Sequence, residues 1–232
     1  MKSKENLTLY SYCIPIDDGA APNPYWGICT LTICKPVIRR VAKVGDWVVG
    51  IGSKNSPIGD ISNSAVYVMK ITKKLTMQEY DDFCKKKYPN KIPDWYSEDF
   101  YKRVGDCIYD FSETSLPKLR KSVHTEKNKD TDLNGQYALI SNHFYYFGGI
   151  PIPLPDYLKP IIKEGQGHKS KSNNLYVNDF LKWIGTLPYK INTINGEPQF
   201  KEEIMKIKEK CSICSDGRNE EAIKDEEIGC EY

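Results

Sequence analysis

The sequence predicts an α+β protein in which a small, curved mixed sheet, or a β-barrel, carries peripheral helices. Three observations support this fold class. Short apolar segments rich in β-branched and aromatic residues are typical of strands, and a few amphipathic segments between and after them are typical of helices. The two types do not alternate regularly, so a doubly wound parallel sheet is not expected. With 40% hydrophobic and 28% charged residues in 232, the composition is that of an ordinary globular protein.

The first half of the chain contains four predicted strands. Alternation of apolar and polar side chains is clearest in the first strand, and a Gly45-Asp46 turn precedes the third. The segment between the first two strands, residues 17–24, is rich in Asp, Gly and Pro and is predicted to be a loop. The strands are predicted at residues 7–14, 25–34, Trp47–Ile51 and 65–73.

Helices are predicted after Pro36, after Thr76 and near the end of the chain. Proline is favoured at the first position of a helix, which predicts a short helix over residues 37–43. Thr76 and Glu79 have the spacing of a capping box, and the helix that follows is expected to stop at Pro89. Two more helices are predicted at residues 176–184, with Gly185 as the cap, and at residues 201–210, where the pattern is mostly charged.

The middle of the chain is less regular. Residues 96–109 are aromatic and give no clear assignment. Residues 112–136 are polar without periodicity and are predicted to be an exposed excursion, in which His124 is solvated. Two strands, at residues 137–140 and 144–147, are predicted on either side of a turn at Asn142-His143.

Sequence features point to a cytoplasmic protein that does not enter a membrane. No stretch reaches the roughly 18 apolar residues that span a bilayer, and the first six residues lack the apolar core of a signal peptide. Cys13, Cys29, Cys34 and Cys84 fall in apolar segments, where reduced cysteine behaves as a small hydrophobe. We therefore expect reduced cysteines rather than a disulfide framework.

The end of the chain differs from the rest in charge. Residues 211–232 contain seven acids and two bases, a balance of −5, so the net charge of +2 leaves +7 for residues 1–210. A moderately basic body permits phosphate binding, and the acidic tail is a candidate docking segment for a protein partner.

Cys211, Cys214 and Cys230 offer three thiols, whereas structural zinc normally takes four ligands. We expect no metal and no other cofactor.

Common catalytic signatures are absent from the sequence. It contains no Walker loop, no strand-linked Gly-x-Gly-x-x-Gly, no Gly-x-Ser-x-Gly elbow and no His-Glu-x-x-His. The sequence therefore contains no motif evidence for the usual hydrolase and dehydrogenase classes.

A series of short motifs, taken together, is far more specific than any one of them. In chain order they are Tyr10-Ser11-Tyr12, Asp17-x-Gly19-x-Ala21-Pro22-Asn23-Pro24-Tyr25, Cys29-Thr30-Leu31, Cys34-Lys35-Pro36-x-Ile38-Arg39, Val44-Gly45-Asp46-Trp47-Val48-Val49-Gly50-x-Gly52-Ser53, Gly105-Asp106-x-Ile108-Tyr109, Leu139-Ile140-Ser141, Phe147-Gly148-Gly149 and Gly165-x-Gly167-His168-Lys169. The series closely resembles the bacterial and phage family called nucleotide modification associated domain 2, over about residues 7–185.

The resemblance implies one domain over residues 1–190, followed by a charged helix and an acidic, cysteine-containing tail over residues 191–232. It also implies a setting in DNA modification or defence. The segment that begins Gly45-Asp46-Trp47 is similar to the strand entry of PUA/EVE/ASCH-like barrels, many of which bind RNA or modified bases. That second likeness implies a PUA/EVE-like β-barrel.

A pocket for a nucleobase needs flat apolar surfaces for stacking and a few polar groups for the base edge. Five aromatic residues near the first loops are candidates for the stacking wall, although aromatic residues in strands usually belong to the core. Ser53 and Lys54 lie in a loop whose backbone could hold an anion. The candidate aromatic residues are Tyr10, Tyr12, Tyr25, Trp26 and Trp47.

The loop over residues 17–24 offers a second group of candidates. Asp17 and Asn23 could bond a base or its backbone, because the neighbouring prolines and glycine restrict the loop. A structural turn held by Asn23 and an aspartate is the alternative. Both interpretations stay open at this point.

His168 and Lys169 form the sharpest chemical cluster, because they follow two glycines that free the backbone. They could bind a phosphate, or His168 could act as a general acid or base near neutral pH. Lys35 and Arg39, with Arg40 and Lys43, make the first helix basic, so Lys35 and Arg39 are candidate phosphate ligands.

Three hypotheses follow for function. The preferred one is a protein that binds a nucleotide, a modified base or nucleic acid. The second is an enzyme acting on such a ligand, with His168 as acid/base and Asp17 or Asp18 as its partner. The third is a protein-interaction adaptor that docks through the acidic tail.

Overall fold

The computed structural model describes residues 7–113 and 116–207. Within those ranges its strands are β1 (Leu9–Cys13), β2 (Cys29–Leu31), β3 (Trp47–Ile51), β4 (Ser64–Lys70), β5 (Lys73–Thr76), β6 (Tyr109–Asp110), β7 (Lys118–Leu119), β8 (Tyr137–Ser141), β9 (Phe144–Tyr146), β10 (Ile152–Pro153), β11 (His168–Lys169) and β12 (Thr193–Ile194). The α-helices are α1 (Pro36–Val41), α2 (Met77–Lys87), α3 (Phe100–Arg103), α4 (Lys129–Asn134), α5 (Val177–Thr186) and α6 (Lys201–Lys206).

The largest sheet is mixed. Its strands follow the order β11-β1-β3-β4-β9-β12, with β10 paired to β4. β1 runs parallel to β3 and β12 runs parallel to β9, whereas the other pairs are antiparallel. A second sheet has the order β2-β8-β5, and β6 pairs with β7. The α+β class with a mixed sheet is therefore confirmed, and no closed barrel is found in the part of the chain that the structure describes.

At two places where the sequence predicts strands, the chain passes from one sheet to the other. β4 ends at Lys70 and β5 begins at Lys73, so the predicted strand over residues 65–73 is in fact two strands in different sheets. β8 and β9, predicted around a turn at Asn142-His143, likewise belong to different sheets. Backbone bonds from Lys70 N to the His143 carbonyl and from Thr72 N to the Ile140 carbonyl, both 2.9 Å, hold the two corners together. Strands that change sheets at a corner are usual where two sheets pack at a steep angle.

Three clusters of buried hydrophobic residues form the core around the two sheets and their helices. One lies around the inner strands and includes Tyr12, Val48, Leu139 and Phe144. A second lies between the largest sheet and α5, where Trp47 and Val49 meet Phe180 and Ile184. In the third, α2, α3 and α6 cover the smaller sheet through Tyr80, Phe100 and Ile204.

The helix predictions were correct at the start of α2 and wrong at the end of α5. Thr76 and Glu79 form the expected capping box, because Glu79 N donates to Thr76 Oγ1 at 3.2 Å and Thr76 N donates to Glu79 Oε2 at 2.8 Å. Gly185 lies inside α5, whose cap is Leu187 in an extended conformation. Pro188 follows Leu187 and disfavours a helical conformation there, so the proline rather than the glycine ends the helix.

The predicted exposed excursion over residues 112–136 is exposed only in part. It contains α4, and Ser122, Val123, His124 and Asp132 are buried. The prediction that His124 is solvated is therefore wrong. The polar side chains of this segment are buried because they pair with groups distant in the sequence, which local composition does not reveal.

Residues 191–207 pack on the rest of the fold. β12 pairs with β9, the Phe200 amide donates to the Asp17 carbonyl at 3.0 Å, and Ile204 is fully buried. The predicted helix over residues 201–210 is seen as α6, which ends earlier than predicted because Ile207 is extended. Residues 208–210 and the acidic tail with Cys211, Cys214 and Cys230 lie outside the described residues. Within the described ranges, no helix has the length and apolar character needed to cross a membrane.

Candidate functional site

Asn23 is fully buried and serves the structure of its own loop. Its Nδ2 donates to the carbonyls of Gly19 and Val104, at 3.1 and 2.8 Å, and its Oδ1 accepts from Lys91 Nζ at 2.6 Å. All three bonds are internal to the protein. The structural interpretation of this loop therefore accounts for Asn23 without a ligand.

A buried polar network continues from Asn23. Lys91 Nζ, which is fully buried, also donates to Thr30 Oγ1 at 2.8 Å. Thr30 Oγ1 donates to Asp106 Oδ2 at 2.6 Å, and Tyr80 OH donates to Asp106 Oδ1 at 2.8 Å. Burial lowers the pKa of Lys91, and the nearby charge of Asp106 opposes that change. The network ties β2 to α2 and the segment around residue 91.

Asp17 is a buried carboxyl without a neighbouring cation among its hydrogen-bond partners. Tyr146 OH donates to its Oδ2 at 2.6 Å, and Gly19 N donates to its Oδ1 at 3.2 Å. Burial raises the pKa of Asp17 to about 7, although the bond from Tyr146 opposes that change. Burial also raises the pKa of Asp18, whose Oδ1 accepts from Ala20 N at 2.9 Å.

Most of the predicted stacking residues belong to the core. Tyr10, Tyr12, Tyr25 and Trp47 are each exposed by 6% or less. Trp26 stays half-buried, with its indole nitrogen enclosed. The sequence interpretation of these rings as the wall of an open pocket is therefore replaced by a packing role, since a ring enclosed on both faces cannot stack on a base.

Lys35 and His168 do come together, although they are distant in the sequence. β11 pairs with β1 so that His168 lies opposite Tyr12, and the His168 ring centre is 5.9 Å from that of Tyr10. Lys35 Nζ lies 5.0 Å from the centre of the Tyr12 ring, a cation–π distance. The surface between them is a shallow depression with roughly 10 Å³ of free volume, which we call the Lys35–His168 surface. It is lined by Lys35, Pro36, Val37, Ile38, Gly167 and His168.

The other predicted polar ligands have separate positions. Lys169 Nζ donates to the Pro160 carbonyl at 2.6 Å, which orders the loop before β11. Ser53 bonds the Cys13 thiol and accepts from Asn55 N at 3.1 Å. Lys54 is exposed in the same loop. No described contact brings Lys54 or Lys169 to the Lys35–His168 surface.

Arg39 is not a phosphate ligand but an internal clamp. It is fully buried, and its Nε donates to the Cys34 carbonyl at 2.8 Å. Its Nη1 donates to the carbonyls of Thr32 and Tyr137, at 2.5 and 3.1 Å, and its Nη2 donates to the Asp132 carbonyl. The guanidinium thus joins the turn before α1 to α4 and β8, and a phosphate has no access to it.

Beside this clamp, a thiol, an imidazole and a carboxylate form a chain. Cys34 Sγ lies 3.6 Å from His124 Nε2, and His124 Nδ1 lies 2.5 Å from Asp132 Oδ2. Asp132 also accepts from Cys34 N at 2.8 Å and from Tyr109 OH at 2.9 Å. His124 and Asp132 are almost fully buried, whereas Cys34 is half-buried. Sequence reasoning missed His124 and Asp132, because neither lies in a motif that suggests chemistry.

The charges of this chain are mutually stabilised. Burial alone would lower the pKa of His124, but the nearby carboxylate of Asp132, together with Cys34, raises it well above the ordinary value. Burial alone would raise the pKa of Asp132, but His124 and Arg39 lower it. The pair is therefore an imidazolium and a carboxylate at neutral pH.

The backbone at Cys34 is held in an uncommon conformation. Cys34 has φ 56° and Lys35 has φ 42°, so two consecutive residues with side chains occupy the left-handed region. The bonds from Arg39 and Asp132 described above hold this turn in place.

A metal ion could in principle use the same three side chains. One ligand atom each of Cys34, His124 and Asp132 lie within 4.8 Å of one another, and no other such group is found among residues 7–113 and 116–207. The direct bond between His124 Nδ1 and Asp132 already occupies one carboxylate oxygen, and Cys34 N and Tyr109 bond the carboxylate as well. Two protein ligands then remain, fewer than the three of catalytic zinc or the four of structural zinc.

Comparison with known proteins gives one match. The family model described as nucleotide modification associated domain 2 matches residues 6–206. The match extends beyond the range of about 7–185 expected from the motifs, in agreement with the packing of α6 on the core. Neither the curated proteins nor the solved structures include a match.

Proposed function

The chain belongs to the nucleotide modification associated domain 2 family, and from this premise we propose that it binds a nucleotide or a modified nucleobase at the Lys35–His168 surface. The family description supports a role related to nucleotide modification. The particular ligand, and a setting in bacterial or phage DNA modification or defence, are part of the proposal.

One observation carries the proposal. Lys35 and His168, identified separately from the sequence as candidate ligands, line the same depression, where Lys35 is half-buried and His168 is buried. Lys35 Nζ is a half-buried cation that can bind a phosphate at this surface. Pro36 and Val37 supply apolar contact next to the cation.

The neighbouring loop adds positive charge. Residues 159–171 contain four lysines, Lys159, Lys163, Lys169 and Lys171, against one acid, Glu164. Such a balance attracts phosphate groups at long range. Because the depression is shallow and the aromatic rings lie beneath it, the base would lie across the surface rather than enter a stacking slot.

The proposal is tested by binding of nucleosides, nucleoside monophosphates and short DNA and RNA oligonucleotides, measured by calorimetry. We expect the monophosphates or the oligonucleotides to bind more tightly than the nucleosides. Lys35→Met should weaken binding about tenfold or more, because a hydrogen bond to a charged group is worth roughly 1.5–3 kcal/mol. Lys87→Met, at an exposed position of α2, is the matched control and should leave binding unchanged.

Absence of binding by every ligand, or equal losses in the two lysine variants, would contradict the proposal. The third hypothesis, an adaptor that docks through the acidic tail, predicts a different result. In that case removal of residues 211–232 abolishes capture of a protein partner, whereas Lys35→Met does not.

The enzyme hypothesis takes a new form in this structure. Asp17 bonds Tyr146 and Gly19 rather than His168, so no described contact supports the predicted partnership of Asp17 with His168. A different set of residues, centred on Cys34, has the geometry that such chemistry requires.

A further inference from the structure

We propose that Cys34 is a catalytic nucleophile, with His124 as its general base and Asp132 as a positioning residue, and that it cleaves an amide or ester bond carried by a nucleotide. The nucleotide part of the substrate rests on the proposed function. The reactivity of Cys34 does not depend on it and is tested separately below.

The three side chains occupy the three positions that nucleophilic catalysis needs. A nucleophile must be within reach of a base, and the base must be oriented by a third group. Here the thiol lies 3.6 Å from His124 Nε2, a contact of the length expected for sulfur, and Asp132 holds the opposite ring nitrogen at 2.5 Å. These residues come from the turn before α1, from the segment after β7 and from α4.

The charges around the thiol favour its ionised form. His124 is an imidazolium because Asp132 supplies its counter-charge, and an adjacent cation is what lowers the pKa of reactive cysteines. The charged and titratable groups that face Cys34 and His124 from the packed elements are Asp18, Lys35, Arg39, Tyr12, Tyr109 and Asp132. Two of them are further cations, Lys35 and Arg39.

Of the three residues Cys34, His124 and Asp132, Cys34 is the one with the most exposed surface. Cys34 is half-buried, whereas the base and the carboxylate behind it are enclosed. The next residue, Lys35, lines the Lys35–His168 surface. A nucleotide held there by its phosphate would place its remaining groups beside the turn that carries the thiol.

A purely structural role explains only part of this arrangement. Asp132 is needed to bond Cys34 N and Tyr109 OH, and these two bonds alone would justify a buried carboxylate. They do not require an imidazole, and they do not require that its second nitrogen face a half-buried thiol. The pair with Asp132 stabilises the buried charge of His124, and it leaves Nε2 directed at the thiol, which is the position that a catalytic imidazole occupies.

The reaction follows from the roles of the groups. In the resting protein the proton of the Cys34 thiol already lies on His124, so that a thiolate and an imidazolium form an ion pair. The sulfur attacks the carbonyl carbon, the C–N or C–O bond breaks, and the leaving amine or alcohol takes the proton from His124. This leaves an acyl thioester on Cys34. Water then loses a proton to His124 and attacks the thioester, and the C–S bond breaks. The sulfur leaves as a thiolate beside the imidazolium, which restores the ion pair, and a carboxylic acid is released.

The first experiment measures alkylation of each cysteine of the full-length protein by iodoacetamide between pH 5 and 9, with peptide mass spectrometry as the readout. Cys13 is a matched internal control, because it is also half-buried and burial raises its pKa. We expect Cys34 to react at least tenfold faster than Cys13 at pH 6. An equal or lower rate at Cys34 would overturn the proposal.

The base is tested with His124→Gln. Alkylation of Cys34 at pH 6 should fall about tenfold or more and approach the wild-type rate at pH 9, where any thiol ionises. An unchanged pH profile in a folded variant would overturn the role of His124. If the variant does not fold, the comparison of the alkylation rates of Cys34 and Cys13 in the wild type still tests whether Cys34 is reactive. Acceleration of Cys34 alkylation by EDTA would instead identify a metal ligand and overturn the proposal.

The acyl chemistry is tested with p-nitrophenyl acetate and with N4-acetylcytidine monophosphate. The expected results are an acetyl thioester on Cys34 after acid quench, and release of cytidine monophosphate at least a hundredfold faster in the wild type than in Cys34→Ala.

A reactive Cys34 without nucleotide binding would contradict the proposed function alone. Nucleotide binding with an unreactive Cys34 would contradict the nucleophile alone, and binding with a reactive Cys34 but no turnover would contradict the acyl assignment.

Discussion

Asp17 and Asp132 are both enclosed carboxyls, and their hydrogen bonds are closely similar. Each accepts one tyrosine hydroxyl, from Tyr146 or Tyr109, and one backbone N–H, from Gly19 or Cys34. The pKa of Asp17 is nevertheless raised to about 7, whereas that of Asp132 is lowered.

The main difference between these two corners is the charged neighbours of the carboxyl, which are His124 and Arg39 at Asp132 and the acid Asp18 at Asp17. Burial raises the pKa of both carboxyls, and hydrogen bonds from neutral donors do not offset it at Asp17. At Asp132 the charge of His124 offsets the effect of burial on the pKa. Hydrogen bonding alone therefore does not fix the ionisation of an enclosed carboxyl in this fold, and a cation within contact distance does. The corner that holds the charge pair is also the one that reaches a half-buried thiol.

The largest effect on this comparison is expected from Asp132→Asn. It leaves His124 without a counter-charge, and removal of one partner of a buried pair typically costs roughly 3–5 kcal/mol. We expect a loss of that size in the free energy of unfolding at pH 6, measured by urea denaturation. A loss below about 1 kcal/mol would show that the two corners are electrostatically alike.

The next largest effect is the pH dependence of Asp17→Asn. The folded pKa of Asp17, about 7, lies above its ordinary value of 3.8, so the folded state keeps a proton that the unfolded state loses. Wild-type stability should therefore fall, relative to Asp17→Asn, by roughly 1 kcal/mol per pH unit as the pH rises from 5 to 7, with the slope flattening as the pH passes 7. Parallel stability curves for the two proteins would contradict a protonated Asp17.

Arg39→Lys is expected to cost about 2 kcal/mol. A lysine cannot reproduce the guanidinium fork that reaches the carbonyls of Thr32, Cys34 and Asp132, and a buried acceptor left without a donor costs roughly 1–3 kcal/mol. The same variant should slow Cys34 alkylation at pH 6, because the turn and α4 would no longer be fixed to each other. Urea denaturation measures the expected loss of stability, and the alkylation rate of Cys34 measures the expected loss of reactivity.

The remaining effects, from the two tyrosines, are expected to be no larger than that of Arg39→Lys. Tyr109→Phe removes a bond to a charged carboxylate and should cost about 2 kcal/mol at pH 6, whereas Tyr146→Phe removes a bond to a carboxyl that is largely protonated and should cost about 1 kcal/mol. Equal costs at pH 6, in matched urea titrations, would contradict the assigned ionisation states.

Where a feature depends on neighbours in the chain, the sequence was sufficient to predict it. The strand at Trp47–Ile51 follows from a run of apolar residues after a Gly45-Asp46 turn, and the start of α2 follows from the spacing of Thr76 and Glu79. The ends of such elements were less certain. Gly185 was a reasonable cap, but Pro188 decides where α5 stops.

Features that depend on distant partners were not predictable in the same way. His124 lies in a polar segment, and nothing near it in the sequence indicates that Asp132 and Cys34 will enclose it. Arg39 resembles any basic residue of a surface helix until the carbonyls around it are known. The meeting of Lys35 with His168 was anticipated only as two separate candidates, because the pairing of β11 with β1 joins the ends of the fold.

That same pairing of β11 with β1 has a consequence for self-association. β1 lies next to the border of the largest sheet, and only two residues of β11 continue the ladder beyond it. Asn173 Nδ2 donates to the carbonyls of Leu9 and Lys169, at 3.0 and 3.1 Å, so part of the remaining border is already bonded by a side chain. A foreign strand would find little free backbone to extend at this border, which protects the protein against the edge-to-edge aggregation that long open borders invite.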